Sequence, residues 1–328
     1  MIDCSQLEVF VLTYNRAEKL QKMLESLCCQ TARGFRITVL NNASTDNTIE
    51  VVKCIQQRFP NRNIQMITHE KNLSNLGNFI MSQQLASLEF TAVFHDDDVI
   101  HPEYLERAMN LFAENEKAVL CSGGNVARYM PENCDWTPLT PEYYLYPGES
   151  NAYLQMMVQR ASFQTAVYRT KVYKRTEYRK DLYGKLHDII FLMEVGRQGD
   201  MIHILPPCAK VGIDVSQDSN DLQSGPFPEE ILEIGNRISE LMGDRKYAKP
   251  VLWNFTYSLY EWSCLSRHIT WEDFTEKLIS RKTFTYAEVA DFSMNAVMDR
   301  INGEMLSWIE TLKYKCFKTF KGFRSGLL

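Results

Sequence analysis

The chain has 328 residues, of which 45% are hydrophobic and 23% charged, and its formal net charge is −5. This length can bury a large core in a main domain with an addition, and the composition is that of an ordinary soluble globular protein. The charge balance gives no support to a nucleic-acid-binding surface spread over the whole protein. We therefore expect no nucleic acid among its partners.

The cysteines and the N-terminal residues bear on the compartment. Nine cysteines are an odd number, and none of them forms a C-x-x-C pair. This pattern favours free, mostly buried thiols in a reducing compartment over zinc clusters. The first residues lack the basic segment of a signal peptide, and no apolar run approaches the length of a transmembrane helix. We expect a cytoplasmic protein.

Strands and helices alternate over the first hundred residues. Short apolar runs rich in β-forming residues predict strands at 8–14, 35–40, 64–68 and 90–94. Apolar residues at helical spacing predict helices at 15–30, 47–59 and 78–88. Asn15 and Glu18 have the spacing of a capping box for the first of these helices. The alternation predicts a parallel sheet covered on both faces.

The pattern is looser after residue 100. It predicts a helix at 101–115, strands at 118–130, 163–169 and 201–205, a helix at 187–198, and an irregular loop at 131–150. The polar segment 214–230 is rich in helix breakers, as in a mobile lid or a linker. Only helices are predicted beyond it, with capping boxes at Thr270/Asp273 and Thr285/Glu288.

Polar residues follow three of the predicted strands where each strand ends. They are Thr13–Asn15, Asn41–Asp46 and the acidic triplet Asp96–Asp98. In parallel sheets ligands bind beyond the carboxyl ends of the strands, so these segments should converge on one edge. Taken alone, the triplet fits a solvated face or the cap of the next helix equally well.

The chemistry of this edge favours a nucleotide base and a hard metal ion. The chain has no G-x-x-x-x-G-K-[ST], and no G-x-G-x-x-G follows the first strand. P-loop and Rossmann dinucleotide sites therefore lose their main support. Carboxylates and amides remain, and Mg²⁺ or Mn²⁺ takes one or two protein carboxylates and fills its shell with phosphate oxygens and water.

Four segments carry a resemblance to a known family. FVLTYNR, VLNNASTDN, EKNLSNLGNF and FHDDDVIHPEYL occur in the order and spacing of the nucleotide-sugar-binding half of a family 2 glycosyltransferase with the GT-A fold. The resemblance covers about residues 7–112 and continues more weakly to about 220. It implies a doubly wound, mostly parallel α/β sheet with a C-terminal all-helical extension. The implied parts are 1–112 for the nucleotide sugar, 113–222 for the acceptor and 223–328 for the helices.

The resemblance also implies roles for individual residues. The triplet matches the family's D-x-D motif, so Asp98 would hold Mn²⁺ or Mg²⁺ and Asp96 the ribose or a second metal contact. Asp97 would border the donor site, facing the solvent or a basic neighbour. The positions that would bind the donor, a nucleoside-diphosphate sugar and specifically a UDP-sugar, are Thr13, Asn15, Asn42, Asp46, Asn72 and Gly77.

The local alternatives stay open for these donor positions. The loop that ends at Asp46 fits a turn with a helix cap, and both interpretations can hold at once. The segment with Asn72 and Gly77 equally fits a plain turn before a helix. Relatives commonly carry aspartate at one or both of positions 41 and 42, where this chain has asparagine. An amide donates as well as accepts, so the identity of the base stays open.

Two more positions follow from the resemblance in the acceptor-side half. Asp188 in KLHDIIFLME stands where the family has its general base, and the alternative is a helix N-cap. The resemblance implies an inverting mechanism, in which Asp188 takes a proton from an acceptor hydroxyl. Glu194 is a weaker rival that is more consistent with a packed or solvated side chain. Asp214 stands where relatives have a histidine that reaches the metal, and aspartate also suits a hard cation.

The last predicted helix, 304–324, interleaves lysines with aromatic residues. This pattern suits peripheral contact with the inner face of an anionic membrane, and it also suits a nucleic acid or an exposed terminal helix packed by one face. We expect a metal-dependent glycosyltransferase that acts on a polysaccharide or a lipid-linked saccharide. A non-catalytic sugar-nucleotide scaffold or sensor is the alternative. A sugar-phosphate nucleotidyltransferase would need a Gly-rich basic loop, which LTYNRAEKL lacks.

Overall fold

The chain forms two compact units, described here separately. The first comprises Met1–Gly148, Ala161–Tyr178 and Val195–Asp214, and the second Glu149–Arg160, Arg179–Glu194 and Val215–Leu328. The computed structural model describes residues 4–127, 136, 138–148, 162–183, 187–212, 233–237, 240, 252–253, 270–280, 282, 284–285 and 287–288.

Nine strands in the first unit form one sheet. They are β1 (Leu7–Thr13), β2 (Arg36–Asn41), β3 (Asn63–Thr68), β4 (Phe90–His95), β5 (Val99–Ile100), β6 (Ala118–Ala127), β7 (Tyr143–Tyr146), β8 (Val167–Arg169) and β9 (Asp200–Val211). The strand order is β3-β2-β1-β4-β8-β6-β9-β5, with β7 paired to β9. The strands β1 to β4 are mutually parallel, and so are β6 and β9. The pairs formed by β8, β5 and β7 are antiparallel.

Eight helices are described. They are α1 (Ala17–Cys28), α2 (Thr48–Arg58), α3 (Ser74–Leu85), α4 (Tyr104–Glu114), α5 (Thr170–Arg175), α6 (Lys180–Tyr183), α7 (His187–Gly196) and α8 (Trp271–Ser280), and a single 3₁₀ turn spans Phe163–Thr165. No helix in the described part of the chain is both long and apolar enough to span a bilayer.

The core explains why β1 lies at the centre of the sheet. All seven of its residues are buried, and it pairs with β2 on one side and β4 on the other. Val9 and Val11 belong to a core cluster that includes apolar residues of α1, α2 and α4. Because side chains alternate along a strand, Phe10 and Leu12 face the other way, and they are buried as well. The predicted parallel sheet is confirmed for the strands β1 to β4, and burial on both faces is confirmed for β1, β2 and β4, whereas β3 lies at the edge of the sheet and is partly exposed.

Several local predictions are wrong in detail. The capping box of Asn15 and Glu18 does not form, since the N-cap residue of α1 is Arg16, and its side chain makes no cap hydrogen bond. The helix α3 begins at residue 74, four residues before its predicted start. The predicted strand 163–169 is a 3₁₀ turn followed by three strand residues, and α5 follows at once. The strand β7 lies in the segment predicted as an irregular loop.

The described C-terminal residues confirm both predicted capping boxes. The Thr270 Oγ1 atom accepts a hydrogen bond from the Asp273 N–H at 3.1 Å, at the start of α8. The Thr285 and Glu288 pair forms the reciprocal bonds, with Thr285 N–H donating to the Glu288 carboxylate at 2.7 Å and Glu288 N–H donating to Thr285 Oγ1 at 3.2 Å. The predicted helix 304–324 and the segment 214–230 lie outside the described residues.

The described cysteines match the prediction of free thiols. Cys4, Cys28, Cys121 and Cys208 are buried and free, and Cys29 and Cys54 are exposed and free. Burial raises the pKa of the Cys28 thiol to about 12, so this side chain stays protonated at neutral pH.

Candidate functional site

Three polar segments meet at the carboxyl edge of β1, β2 and β4. The Asn15 N–H, after β1, donates to Ser44 Oγ at 2.9 Å, and Thr45 N–H, after β2, donates to Asn15 Oδ1 at 2.7 Å. Arg16 then reaches across to Asp96 and Asp97 at the end of β4. The convergence expected from a parallel sheet is therefore present.

Asp46 ties the starts of two helices to this edge. Its Oδ2 atom accepts a hydrogen bond from Ala17 N–H at 2.9 Å, and its Oδ1 atom accepts from Thr48 N–H at 3.1 Å. Slight burial acts to raise the pKa of Asp46, but the hydrogen bonds from Thr48 and Ala17 hold it below its ordinary value. The predicted helix cap at Asp46 is confirmed, while its contact with a base stays a prediction.

Asn42 holds the loop that precedes α3. Its Nδ2 group donates to Asn72 Oδ1 at 2.9 Å and to the Ser74 carbonyl at 3.1 Å, and its Oδ1 atom accepts from Leu73 N–H at 2.8 Å. The side chain is buried, with 3% of its surface exposed. Both ends of the amide are thus used within the protein, so Asn42 and Asn72 shape the edge of the site. Their direct contact with a donor stays a prediction.

The start of α3 is packed too closely for a larger residue at Gly77. An added Cβ there would lie 2.7 Å from Leu73 Cβ. Next to it, Asn78 is buried, donates to the Leu40 carbonyl at 3.1 Å and pairs with His69 Nε2 at 2.9 Å. The glycine and the asparagine fix the helix against the end of β2. The predicted donor contact of Gly77 is untested by these distances.

Left-handed backbone marks the same edge. Asn15, Ala43 and Ser74 have φ angles of 52°, 62° and 66°. Non-glycine residues with such angles carry local strain and tend to occur at functional sites. Asn15 and Ala43 lie in the segments that follow β1 and β2, and Ser74 is the first residue of α3.

The acidic triplet divides into two differently held parts. Asp96 is 3% exposed, and its Oδ1 atom lies 3.3 Å from Arg16 Nη1, which is also 3.1 Å from Asp97 Oδ2. Asp98 is 2% exposed, and its one hydrogen bond to a described residue comes from Gly212 N–H at 3.3 Å. The expectation that Asp97 faces a basic neighbour is confirmed, and that neighbour, Arg16, also contacts Asp96.

The electrostatic state of the triplet follows from burial. Burial raises the pKa of Asp96, and the Thr13 hydroxyl and then the Arg16 charge offset this only in part. Burial, followed by the adjacent Asp97 charge, holds the pKa of Asp98 well above its ordinary value. Two carboxyl groups are therefore kept in surroundings that disfavour their charge unless a cation is supplied.

The donor atoms at this position suit a hard divalent cation. Two buried carboxylates would supply oxygen ligands to such a cation, and the described residues contain no group of three His, Cys, Asp or Glu side chains arranged to hold a metal on their own. Mg²⁺ and Mn²⁺ commonly use one or two carboxylates and leave further positions for phosphate and water. Close packing supports the site, since an added Cβ on Gly212 would lie 2.1 Å from the Asp97 carbonyl oxygen.

Thr13 lies under the same edge at the last position of β1. Its side chain is 3% exposed, and its hydroxyl lies close enough to Asp96 to lower the pKa of that carboxyl, but the contact falls outside good hydrogen-bond geometry. A buried hydroxyl with a poorly formed hydrogen bond is costly in a folded protein. Thr13 is therefore placed to bond Asp96 or a ligand at this edge.

Sequence reasoning missed Arg16, Asn78 and Gly212 as parts of this edge. A sequence pattern could have predicted Arg16, because this cation directly follows the polar end of the first strand, within reach of any neighbouring acid. No local pattern predicts the role of Gly212, since its partner Asp98 lies 114 positions earlier in the chain.

The predicted general base lies in the second unit. Asp188 is in the first turn of α7, half-buried, and accepts a hydrogen bond from Ile189 N–H at 2.9 Å. Its position inside the helix, one residue after His187, differs from the N-cap alternative. Glu194 is paired with Arg237 at 2.8 Å, which agrees with the expectation of a packed side chain. Asp214 lies outside the described residues.

Solved structures with a similar arrangement of helices and strands identify the fold. The structure superposes on the TarS 1–349 crystal structure from S. aureus in complex with UDP-GlcNAc, with a TM-score of 0.62 and 16% identity, over 95% of this chain and 92% of that chain. It also superposes on the mannosyltransferase PcManGT from Pyrobaculum calidifontis in complex with GDP-Man and Mn²⁺, with a TM-score of 0.52 and 13% identity, over 92% and 87%. The fold is that of the GT-A glycosyltransferases.

The family follows from the sequence match. The model of glycosyl transferase family 2 matches residues 8–177, which is more than half of the chain. The chain belongs to glycosyl transferase family 2. An uncharacterized glycosyltransferase of Escherichia coli K12, YibD, is 25% identical over 116 residues, 35% of this chain and 33% of that protein. The match thus spans about a third of the length of the curated relatives.

Proposed function

We propose that this chain is an inverting glycosyltransferase that transfers a sugar from a nucleoside-diphosphate sugar to a hydroxyl group of a saccharide, with the help of a divalent cation. The observation that carries the proposal is Asp98, a buried carboxylate at the carboxyl end of the central sheet with one long hydrogen bond. Family membership supports the class of reaction. Similar folds bind UDP-GlcNAc in one case and GDP-Man with Mn²⁺ in another.

The donor would lie along the edge where β1, β2 and β4 end. Thr13 and Asn15 would face the base, and Asp46 and the loop from Asn72 to Gly77 would border it. The buried Thr13 hydroxyl supports this, because a ligand at this edge would satisfy it. We propose a UDP-sugar as the donor.

Asp98 and Asp96 would hold Mn²⁺ or Mg²⁺. When bound, the cation would neutralise the charge that develops on the departing nucleoside diphosphate. Asp96 would also contact the ribose, and Arg16 fixes its orientation by charge. Asp214 would add a further ligand.

Asp188 would act as the general base. Its carboxylate would accept the proton of the acceptor hydroxyl while the hydroxyl oxygen attacks the anomeric carbon, which inverts the configuration at that carbon. The acceptor would be a polysaccharide or a lipid-linked saccharide on the cytoplasmic side of a membrane. The basic segment 304–324 would contact that membrane surface.

Isothermal titration with UDP, with and without Mn²⁺, tests the site. Wild type should bind UDP only when Mn²⁺ is present, and Asp98→Ala should lose this binding. Asp181→Asn, which removes an exposed acid paired with Arg179, is the matched control and should bind as wild type does. If Mn²⁺ has no effect on the binding of UDP or of any other nucleoside diphosphate, the metal-dependent function is wrong.

A second measurement separates an enzyme from a non-catalytic binding protein. Slow hydrolysis of UDP-sugars by wild type should disappear in Asp188→Asn, while UDP affinity stays within about twofold because the base acts on the acceptor side. If hydrolysis is unchanged in that variant, Asp188 is not the base. If wild type binds UDP-sugars and never turns them over with any acceptor, the scaffold or sensor function is favoured instead.

A further inference from the structure

The junction between β1 and α1 sends a cationic side chain into the acidic triplet. Arg16 stands at the N-cap position of α1, and its Nη1 atom lies 3.3 Å from Asp96 Oδ1 and 3.1 Å from Asp97 Oδ2. The Arg16 Nη1 atom therefore contacts two carboxylates, both in the segment that follows β4. Both distances exceed the roughly 2.7–2.9 Å of a strong charge-assisted hydrogen bond, so charge holds this contact more than fork geometry does.

The charge of Arg16 lies beside two of the three carboxylates of the triplet. Asp96 and Asp98 are almost fully buried, so water and salt screen charges there poorly. A divalent cation at Asp96 and Asp98 would therefore meet the guanidinium charge at short range. Arg16 thus lowers the attraction of the triplet for a cation.

Arg16 and a divalent cation would share one carboxylate. Asp96 contacts Arg16, and it is also one of the two carboxylates proposed for the cation. Asp98 has no ion pair with Arg16 and is held by the Gly212 backbone instead. The arginine keeps 35% of its side-chain surface exposed, so a ligand at the same edge can approach it. A diphosphate arriving with the cation would bring negative charge to compensate Arg16.

We propose that Arg16 is a positioning residue that acts as the internal counter-ion of the triplet, and that it couples binding of the divalent cation to binding of the nucleoside diphosphate. It orients Asp96 and Asp97 before ligands arrive and repels a cation that arrives alone. This inference rests on the proposed function, because it requires a cation at Asp96 and Asp98. Free metal then binds weakly, and the metal with its nucleotide binds well.

The test measures the Kd of Mn²⁺ alone from the EPR signal of the free ion, for wild type, Arg16→Met and Arg16→Lys. Arg16→Met should bind Mn²⁺ at least about tenfold more tightly, since a nearby like charge has been removed. Arg16→Lys keeps the charge and should stay within about threefold of wild type. At saturating UDP, the factor by which UDP tightens Mn²⁺ binding should be smaller in Arg16→Met than in wild type.

Charge-matched variants separate electrostatics from misfolding. Asp97→Asn added to Arg16→Met restores the formal charge of the wild-type group, and Mn²⁺ affinity should return towards the wild-type value. Asp97→Asn alone makes the group less negative, and it should weaken Mn²⁺ binding whether or not the Arg16→Met protein folds. Arg58→Met removes an arginine of α2 that is 58% exposed and pairs with Glu25, and it should leave Mn²⁺ affinity unchanged.

The outcomes distinguish this inference from the function on which it rests. If wild type shows Mn²⁺-dependent UDP binding but folded Arg16→Met binds Mn²⁺ no more tightly than wild type does, the inference is overturned and the proposed function stands. The inference is likewise overturned if Asp97→Asn alone does not weaken Mn²⁺ binding. If wild type binds UDP without regard to Mn²⁺, both are overturned.

Discussion

Two buried carboxylates of the same sheet have opposite surroundings. Glu8, near the start of β1, is fully buried and paired with the Arg36 guanidinium. It also accepts hydrogen bonds from the backbone N–H groups of Ser87 and Leu88, the latter at 2.9 Å. The protein itself supplies this acid with a counter-charge and with donors.

Asp98, after the end of β4, is buried to the same degree but receives little from the protein. It is 2% exposed and has a single hydrogen bond of 3.3 Å with a described residue. A buried charge that is well paired supports the fold once it is in place, whereas one that is poorly paired costs stability and is open to a ligand. Burial alone therefore does not identify a functional acid. A buried acid with few hydrogen-bond or ion-pair partners in the protein is the better candidate.

The largest loss of stability is expected when the ion pair of the well-paired acid, Glu8, is broken. Glu8→Gln removes the charge that faces Arg36, and leaving one partner of a buried pair should cost about 3 kcal/mol of unfolding free energy. Urea unfolding measures it. Glu25→Gln, which breaks the exposed pair with Arg58, is the control and should cost less than about 1 kcal/mol. Equal losses in the two variants would contradict the role of Glu8.

The next effect concerns Asn42, a buried amide whose donors and acceptor are all used. Asn42→Asp turns a donor into an acceptor that faces Asn72 Oδ1 and the Ser74 carbonyl, and should cost about 2 kcal/mol. The loop before α3 should loosen, so UDP should also bind more weakly. Asn47→Asp, at the exposed start of α2, is the control and should change stability by less than about 0.5 kcal/mol. A variant as stable as this control would show that the amide is not needed.

Asp46 should have a smaller effect with a distinct pH dependence. Asp46→Ala removes acceptors for Ala17 and Thr48 and should cost about 1–2 kcal/mol at neutral pH. Because the folded state lowers the pKa of Asp46, its contribution is present above the unfolded pKa, near 4, and is lost as pH falls through the folded value. Thermal unfolding of both proteins from pH 7 to pH 3 should show their melting temperatures converging. A difference in melting temperature that stays constant with pH would contradict the lowered pKa of Asp46.

Replacing Asp98 should have the smallest effect on stability, and this substitution should stabilise the protein, whereas the three above destabilise it. Burial, followed by the Asp97 charge, raises the pKa of Asp98, so the folded state binds this proton more tightly than the unfolded state. In EDTA, wild type should therefore lose stability relative to Asp98→Asn as pH rises above the unfolded pKa. The variant should be more stable by about 1 kcal/mol at pH 7 and equal near pH 4. A variant that is less stable than wild type at pH 7 would show that Asp98 is satisfied after all.

The features that sequence patterns predicted well are those set by local chemistry. Apolar runs predicted the strands β1, β2 and β4, because a central strand buried on both faces is largely apolar along its length. The position of the triplet followed from the end of β4. The capping boxes at Thr270 and Thr285 formed because both partners lie within one helical turn.

The features that were missed are decided by distant partners. The capping box of Asn15 and Glu18 did not form, since the Ala17 N–H bonds to Asp46, 29 positions away. Asn15 instead uses its side-chain oxygen on Thr45. The strand β5 has two residues and α5 has six, so neither is long enough to show a period. The position of Arg16 after the first strand places a cation near this edge, but its contact with Asp96, 80 positions later, has no local pattern.

The left-handed residues at the carboxyl edge limit which sequences this edge can accept. Asn15 and Ser74 are exposed and Ala43 is partly exposed, and exposed positions normally tolerate most substitutions. Left-handed backbone is costly for β-branched side chains, so valine, isoleucine and threonine should be rare at these three positions in any library selected for folded protein. Glycine, asparagine and aspartate should dominate there. Surface residues that vary little would then report the geometry of the backbone, whether or not they contact a substrate.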